Sequence, residues 1–253
     1  MPGYQPQPSF FALLSDIHGN IDALSAVLAD IGQWSCREIF CLGDVVGYGP
    51  EPAACVEKIR DSCALTVMGN HEAMLLMAIQ YPLEDVRDTV AAPIELAVRQ
   101  LSQEQKDWVR GLPLSADLGP ITLVHAALHE PGEFPYIDTV EEAERHFAIQ
   151  SSFVSFHGHT HIPVIWEEGG DGVVGFMPSE QPVILEARKR YAVNVGSVGQ
   201  PRDGDPRACY TLYDPRKRIL LHRRVEYDVA KAVKRFQKAG IPRNNSKRLK
   251  RGE

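Results

Sequence analysis

The sequence predicts an α/β fold, and three observations predict it. From Phe10 to Met68, short apolar runs alternate with amphipathic stretches in the strand, helix, strand, helix, strand order of parallel βαβ units. The 253 residues are 44% hydrophobic and 24% charged, the balance of a soluble globular chain large enough to bury a core without disulfides. Polar, glycine-rich punctuation follows the apolar runs directly, at the sheet edge where open α/β folds hold ligands.

Residues 1–9, rich in Pro and Gln, are expected to form a flexible N-terminal tail. Phe10–Leu14 is a buried strand, and Ile21, Leu24, Val27, Leu28 and Ile31 give Asn20–Trp34 a helical period, with Asn20 or Asp22 as its cap. Glu38–Leu42 and Ala64–Met68 are the next strands, and Glu51–Ile59 is the helix between them, with Pro52 in its first turn. Residues 71–111 read as mostly helical, with Ser102 and Gln105 as a capping box. Ile121–Val124 and Phe153–Phe156 are strands on either side of a helix at Thr139–Ile149. From residue 162 onward short β runs dominate (162–166, 182–186, 190–195, 207–213 and 219–225), and Asp228–Ala239 is a closing helix. No linker divides the chain, so residues 10–240 are expected to form a single domain, and residues 241–253 a basic, disordered tail.

Charge and cysteine content narrow the function classes. Residues 1–215 carry 13 Lys and Arg against 30 Asp and Glu, whereas residues 216–253 carry 14 against 3. The acidic body disfavours nucleic acid as a partner and suits metal cations, and the basic run reads as a solvated tail. The five cysteines, an odd number without a CxxC pair, point to a reduced, cytoplasmic chain. No apolar run reaches the ~18 residues of a membrane span.

Five short signals carry the chemistry: Asp16-Ile-His18-Gly-Asn20, Gly43-Asp44 running to Gly49, Gly69-Asn70-His71-Glu72, His125-Ala126, and Gly158-His159-Thr-His161. Each falls at the end of an expected strand. Carboxylates and imidazoles together suit divalent first-row metals. In an extended segment Asp16 and His18 point the same way, as do His159 and His161. Asp44, on a tight glycine turn, suits bridging two ions, and Asn70 offers a neutral amide oxygen. Five of the nine histidines fall inside these signals.

In their order, D-x-H, G-D, G-N-H-E, a lone His and G-H-x-H, these signals resemble the calcineurin-like metallophosphoesterase superfamily over about residues 10–225, and within it the small prokaryotic phosphodiesterases of the YfcE-like kind. Asn194–Asp203 resembles their C-terminal loop. The resemblance implies a four-layer α/β-β/α sandwich with two divalent ions, Mn, Fe or Zn. It implies Asp16, His18 and His161 on the first ion, Asn70, His125 and His159 on the second, and Asp44 on both. It implies hydrolysis of a small phosphate ester or nucleotide by a di-metal-bridged hydroxide, with Asp44 and His71 as the catalytic residues and His71 the acid for the leaving oxygen.

The chain departs from protein phosphatases where their second signal carries Asp and Arg, here Gly47 and Tyr48, and where an Arg precedes G-N-H, here Met68. A dianionic monoester needs such clamps more than a diester monoanion does, so the departures lean toward diesters, with Arg202 or Arg207 as substitutes. The candidate substrate-binding residues are Asn20, Tyr48, Ser197 and Arg202. Tyr48 equally suits a packed aromatic in a turn, and the Gly196–Gly199 amides suit either a phosphate contact or a turn. His129, His146 and His222 read as surface residues. A phosphomonoesterase, a dinucleoside polyphosphate hydrolase and a catalytically retired binding scaffold are the alternative functions; retirement predicts missing ligands, and every ligand position is filled.

Overall fold

The first strand already sets the architecture. Ala12 and Leu14 face one apolar cluster and Leu13 faces another, so this strand is covered on both sides. The computed structural model describes residues 10–253; the expected N-terminal tail, residues 1–9, lies outside the described residues. In chain order the elements are β1 (Phe10–Leu14), α1 (Ile21–Ile31), β2 (Cys36–Cys41), α2 (Pro52–Ser62), β3 (Leu65–Thr66), α3 (Asn70–Ala78), α4 (Asp88–Gln100), α5 (Gln103–Arg110), β4 (Ser115–Asp117) and β5 (Ile121–Val124). There follow α6 (Val140–Ile149), β6 (Val154–His157), β7 (Val164–Gly169), β8 (Gly172–Phe176), β9 (Val183–Ile184), β10 (Arg190–Asn194), β11 (Ala208–Asp214), β12 (Ile219–Val225), α7 (Val229–Lys238) and α8 (Arg243–Leu249).

The strands form two six-stranded sheets, in the orders β3-β2-β1-β11-β12-β9 and β4-β5-β6-β10-β7-β8. Their facing sides share one core, in which Leu13, Phe40 and Tyr213 of the first sheet meet Leu123, Phe156 and Val193 of the second, with the Phe156 and Tyr213 rings 5.3 Å apart. The outer side of the first sheet is covered by α1 and α2 through Leu24, Val27, Val56 and Ile59. The outer side of the second is covered by α6 through Ala143 and Phe147. This is the expected four-layer sandwich. β1, β2 and β3 run parallel, as do β5, β6 and β10, so two sets of strand ends open toward one edge.

Two helix starts are capped as the sequence predicts, at Asn20 and Ser102, and Thr139 caps a third. The side chains of Asn20, Ser102 and Thr139 accept from the backbone N–H groups of Ala23, Gln105 and Glu142. The stretch 71–111 resolves into three helices. Two strands had no sequence signal: β4 buries no side chain fully, and β8 is an edge strand with two glycines.

The expected disordered tail is corrected. α8 occupies it, and Asn245, Ser246 and Leu249 are buried along one helical face. Leu249 packs with Phe236 and Ile241 in a small core of its own. The run of charge concealed that face. His129, His146 and His222 are buried too, not on the surface as expected. Each spends a ring nitrogen on a partner, with His222 Nε2 donating to Asn194 O at 3.0 Å and His146 Nε2 donating to Ser155 Oγ at 2.7 Å. Among the described residues no helix is long and apolar enough to cross a membrane.

Candidate metal centre

The loops after β1, β2, β3, β5, β6 and β10 converge at the shared edge. Three backbone bonds zip the first loop to the second: Asp16 N to Gly43 O, His18 N to Asp44 O and Gly19 N to Val45 O, at 3.1, 2.9 and 2.9 Å. The backbone overturns the extended reading of D-x-H and H-x-H. Asp16, His18, Asp44, His159 and His161 all have positive φ, between 49° and 69°. Each turns through the left-handed region, and that strain is held by the surrounding loop bonds. The close approach also explains Gly158, where a Cβ would stand 2.0 Å from Ser15 Oγ and 2.4 Å from Asp16 Oδ2.

The seven expected ligands come together. His18 Nε2 lies 3.1 Å from His161 Nε2, and His161 Nε2 is 3.3 Å from Asp16 Oδ1. His125 Nε2 is 3.1 Å from Asn70 Oδ1 and 3.2 Å from His159 Nδ1. Asp44 Oδ2 stands between the two groups, 3.6 Å from His18 and 3.4 Å from His125. The outer atoms are committed to the fold. Nδ1 of His18, His125 and His161 donates to the carbonyls of Val46, Leu42 and Gln200 at 3.1, 2.7 and 2.6 Å. Those bonds fix the tautomer whose bare Nε2 points inward. Asp44 Oδ1 accepts from His71 N and Asp16 Oδ2 accepts from His159 N, leaving one carboxylate oxygen of each for the centre.

This donor set fits divalent metal. Among the described residues the buried Asp16 Oδ1 has no hydrogen-bond partner, an orphan that a cation would satisfy. Charge tells the same story. Burial works to raise Asp44, but His125 and His71 overcome it and hold the carboxyl well below its usual range. Burial works to lower His125, but the Asp44 charge prevails and pushes it up to about 9. Two buried carboxylates thus draw positive charge into the centre even from an imidazole.

The remaining candidates divide. His71 opens α3 beside the centre, its Nε2 3.9 Å from Asp44 Oδ2. Its Nδ1 is buried without a partner among the described residues and faces Gly47, where a Cβ would stand 2.0 Å away. The departure at Gly47 therefore leaves that nitrogen bare. Tyr48 roofs the site, its ring 4.5 Å from that of His18 and 4.7 Å from that of His71. Arg202 donates to Tyr48 Oη at 3.3 Å and lies over the Tyr48 ring. Three other expectations are corrected. Asn20 is buried, capping α1 and donating to Gly199 O at 3.0 Å, so its side chain is spent on the fold. Ser197 is buried as well, its hydroxyl donating to Asp16 O and accepting from Gln200 N. Arg207 is engaged by Asp205 and Glu180. Three of the four Gly196–Gly199 amides are likewise taken: Gly196 N by Asn194 Oδ1, Val198 N by Ser15 O and Gly199 N by Asp16 O, as a turn requires.

Glu72 is the residue that sequence reasoning passed over. Its buried carboxylate accepts from the backbone N–H groups of Asp44, Val45, Val46 and Gly69, at 2.7 to 3.1 Å, and so shapes the loop that presents Asp44. Its only signal was its place beside His71.

A family model, the calcineurin-like phosphoesterase superfamily domain, matches residues 10–218. The chain is 35% identical over 247 residues to uncharacterized protein MJ0912 of Methanocaldococcus jannaschii, covering 95% of this chain and 97% of that one. It is 24% identical over 211 residues to phosphodiesterase YfcE of Escherichia coli, covering 79% and 84%. The crystal structure of a metallophosphoesterase from Sphaerobacter thermophilus superposes with a TM-score of 0.86 at 32% identity, covering 97% of this chain and 99% of that one. With that match over most of its length, the chain belongs to the calcineurin-like phosphoesterase superfamily and is a phosphoric ester hydrolase.

Proposed function

We propose that the chain is a phosphodiesterase working with two divalent ions, Mn, Fe or Zn, on a small diester or nucleotide. Asp16, His18 and His161 would hold the first ion, Asn70, His125 and His159 the second, and Asp44 both. The observation that carries this reading is Asp44 Oδ2, within 3.6 Å of His18 and 3.4 Å of His125, one from each set. Ions in such a site polarise phosphoryl oxygens and bring the pKa of water toward neutrality.

The chain's own residues do the rest. Tyr48 and Arg202 form an edge beside His18 and His71, and the guanidinium would meet a phosphoryl oxygen there. Arg202 Nε has no partner among the described residues, so the group has hydrogen-bonding capacity to spare. A single arginine at this edge suits a diester monoanion. His71 would give a proton to the departing oxygen from Nε2. Ser197 is no nucleophile, because its hydroxyl is held by Asp16 O and no base adjoins it. The five free cysteines fit a reducing, cytoplasmic setting, and the domain would run from Phe10 through α8. The test is a substrate panel with Mn²⁺: the expected result is metal-dependent hydrolysis of aryl diesters, faster than of the matching monoesters. Monoester preference would overturn the diester reading, and no hydrolysis of either would favour a retired scaffold.

A further inference from the structure

The C-terminal segment does more than close the fold. Asn245, 1% exposed, sends its side-chain amide to two backbone carbonyls in separate loops, Tyr48 O at 3.0 Å and Thr89 O at 2.8 Å. Tyr48 is the aromatic that roofs His18 and His71. Its backbone has a φ of 44°, a conformation a tyrosine keeps only where its surroundings impose it. Farther along the same segment, Gly252 O accepts from Gly204 N at 2.9 Å, two residues beyond Arg202. Arg202 N in turn donates to His161 O at 3.2 Å. The segment therefore grips both halves of the Tyr48–Arg202 edge, one through Asn245 and the other through Gly252.

The helix before it is anchored to the same side of the molecule. Arg235 of α7 pairs with Asp22 at 2.9 Å and also with Glu51, just past the Gly47–Gly49 turn. Lys231 pairs with Asp22 at 2.8 Å. The basic block thus docks on acids of the body, and its apolar face (Val233, Phe236, Ile241, Leu249) seats α8 beneath the loops.

We propose that residues 243–253 are a strap that holds the substrate-facing edge of the metal centre in register, with Asn245 as its positioning residue. The proposal rests on the phosphoesterase reading of that centre. Asn245 touches no ligand residue, so it acts on how substrate is held and leaves the ions in place. Deleting its amide leaves two partly buried carbonyls without that donor and frees the Tyr48 turn to relax.

The test compares Asn245→Ala with Val233→Ala, which loosens the α7–α8 core without touching Tyr48, both in the full, Mn²⁺-loaded chain. With an aryl phosphodiester, Asn245→Ala should raise KM about tenfold with kcat changed less than about twofold. Val233→Ala should leave KM unchanged at a similar loss of melting temperature. Bound Mn²⁺ should be equal in all three proteins. Amide hydrogen exchange, which needs no activity, should quicken at residues 46–50 in Asn245→Ala alone. Unchanged exchange there would overturn the strap even if the enzyme hydrolyses diesters, as would an equal KM rise in both variants. If the wild type hydrolyses no diester, the functional reading fails while selective exchange still upholds the strap.

Discussion

The metal centre and the C-terminal strap are both built from buried polar side chains that tie loops together, yet they are written differently. In the centre, the expected ligands fall in short signals, most beside a glycine, and the outer atoms of Asp16, His18, Asp44, His125 and His161 are engaged by backbone of the same set of loops. In the strap one amide, Asn245, reaches 197 residues back to Tyr48 from within a run of lysines and arginines. The contrast separates two kinds of order. Chemistry that needs several donors around one point leaves dense, periodic marks, whereas positioning at a distance needs one hydrogen-bonding group on a face of the right helix.

The largest expected effect tests the centre. Asp44→Asn should lower kcat/KM by about 10⁴-fold or more, because its Oδ2 serves both ligand sets. Asn70→Ala should cost less, since an amide oxygen completes one set only. Near-normal turnover in Asp44→Asn would break the bridging assignment. His71→Ala comes next, with both ions kept and a loss of about 10²–10⁴ on diesters with poor leaving groups. The loss should shrink for nitrophenol, which departs without a proton, and equal losses would remove His71 as the acid.

The strap side predicts smaller effects that a disordered tail would not show at all. Leu249→Ala should cost about 2–3 kcal/mol in denaturant unfolding, from a buried leucine in a small core. No change would return residues 243–253 to the tail that charge alone suggests. The smallest effect concerns His222, a buried polar group belonging to neither region. Burial pushes its imidazole down to about 4 from an unfolded 6.5. The unfolded chain then binds the proton more readily, so this contribution is intact above pH 6.5 and is lost as pH falls through 4. At pH 5 the penalty is on the order of 2 kcal/mol, and His222→Gln should flatten the fall in unfolding free energy between pH 7 and 5 by about that amount.

Much of this was legible in the sequence, for physical reasons. The βαβ opening was, because β1 and its helices carry clean apolar periods. All seven expected ligands were, because each sits in a short signal after a strand, glycine-flanked for all but His125. Their backbone was not: D-x-H reads as extended, and the left-handed turns are held by bonds between loops that the sequence does not show. Asn20, in the first signal, and Ser197, in the loop that resembles the family's C-terminal loop, looked like substrate contacts, but they spend their polar atoms on the fold. Glu72 and Asn245 were passed over because three of Glu72's four partners and both of Asn245's are backbone groups of distant loops, which leave no mark beside them in the sequence.

The central claim is two ions sharing Asp44. Crystals grown with Mn²⁺ and measured on both sides of its absorption edge test it without any substrate. Two anomalous peaks about 3.5–4 Å apart are expected. One should be bounded by Asp16, His18 and His161, the other by Asn70, His125 and His159, with Asp44 reaching both. A single peak, or two with His125 on neither, would contradict the account.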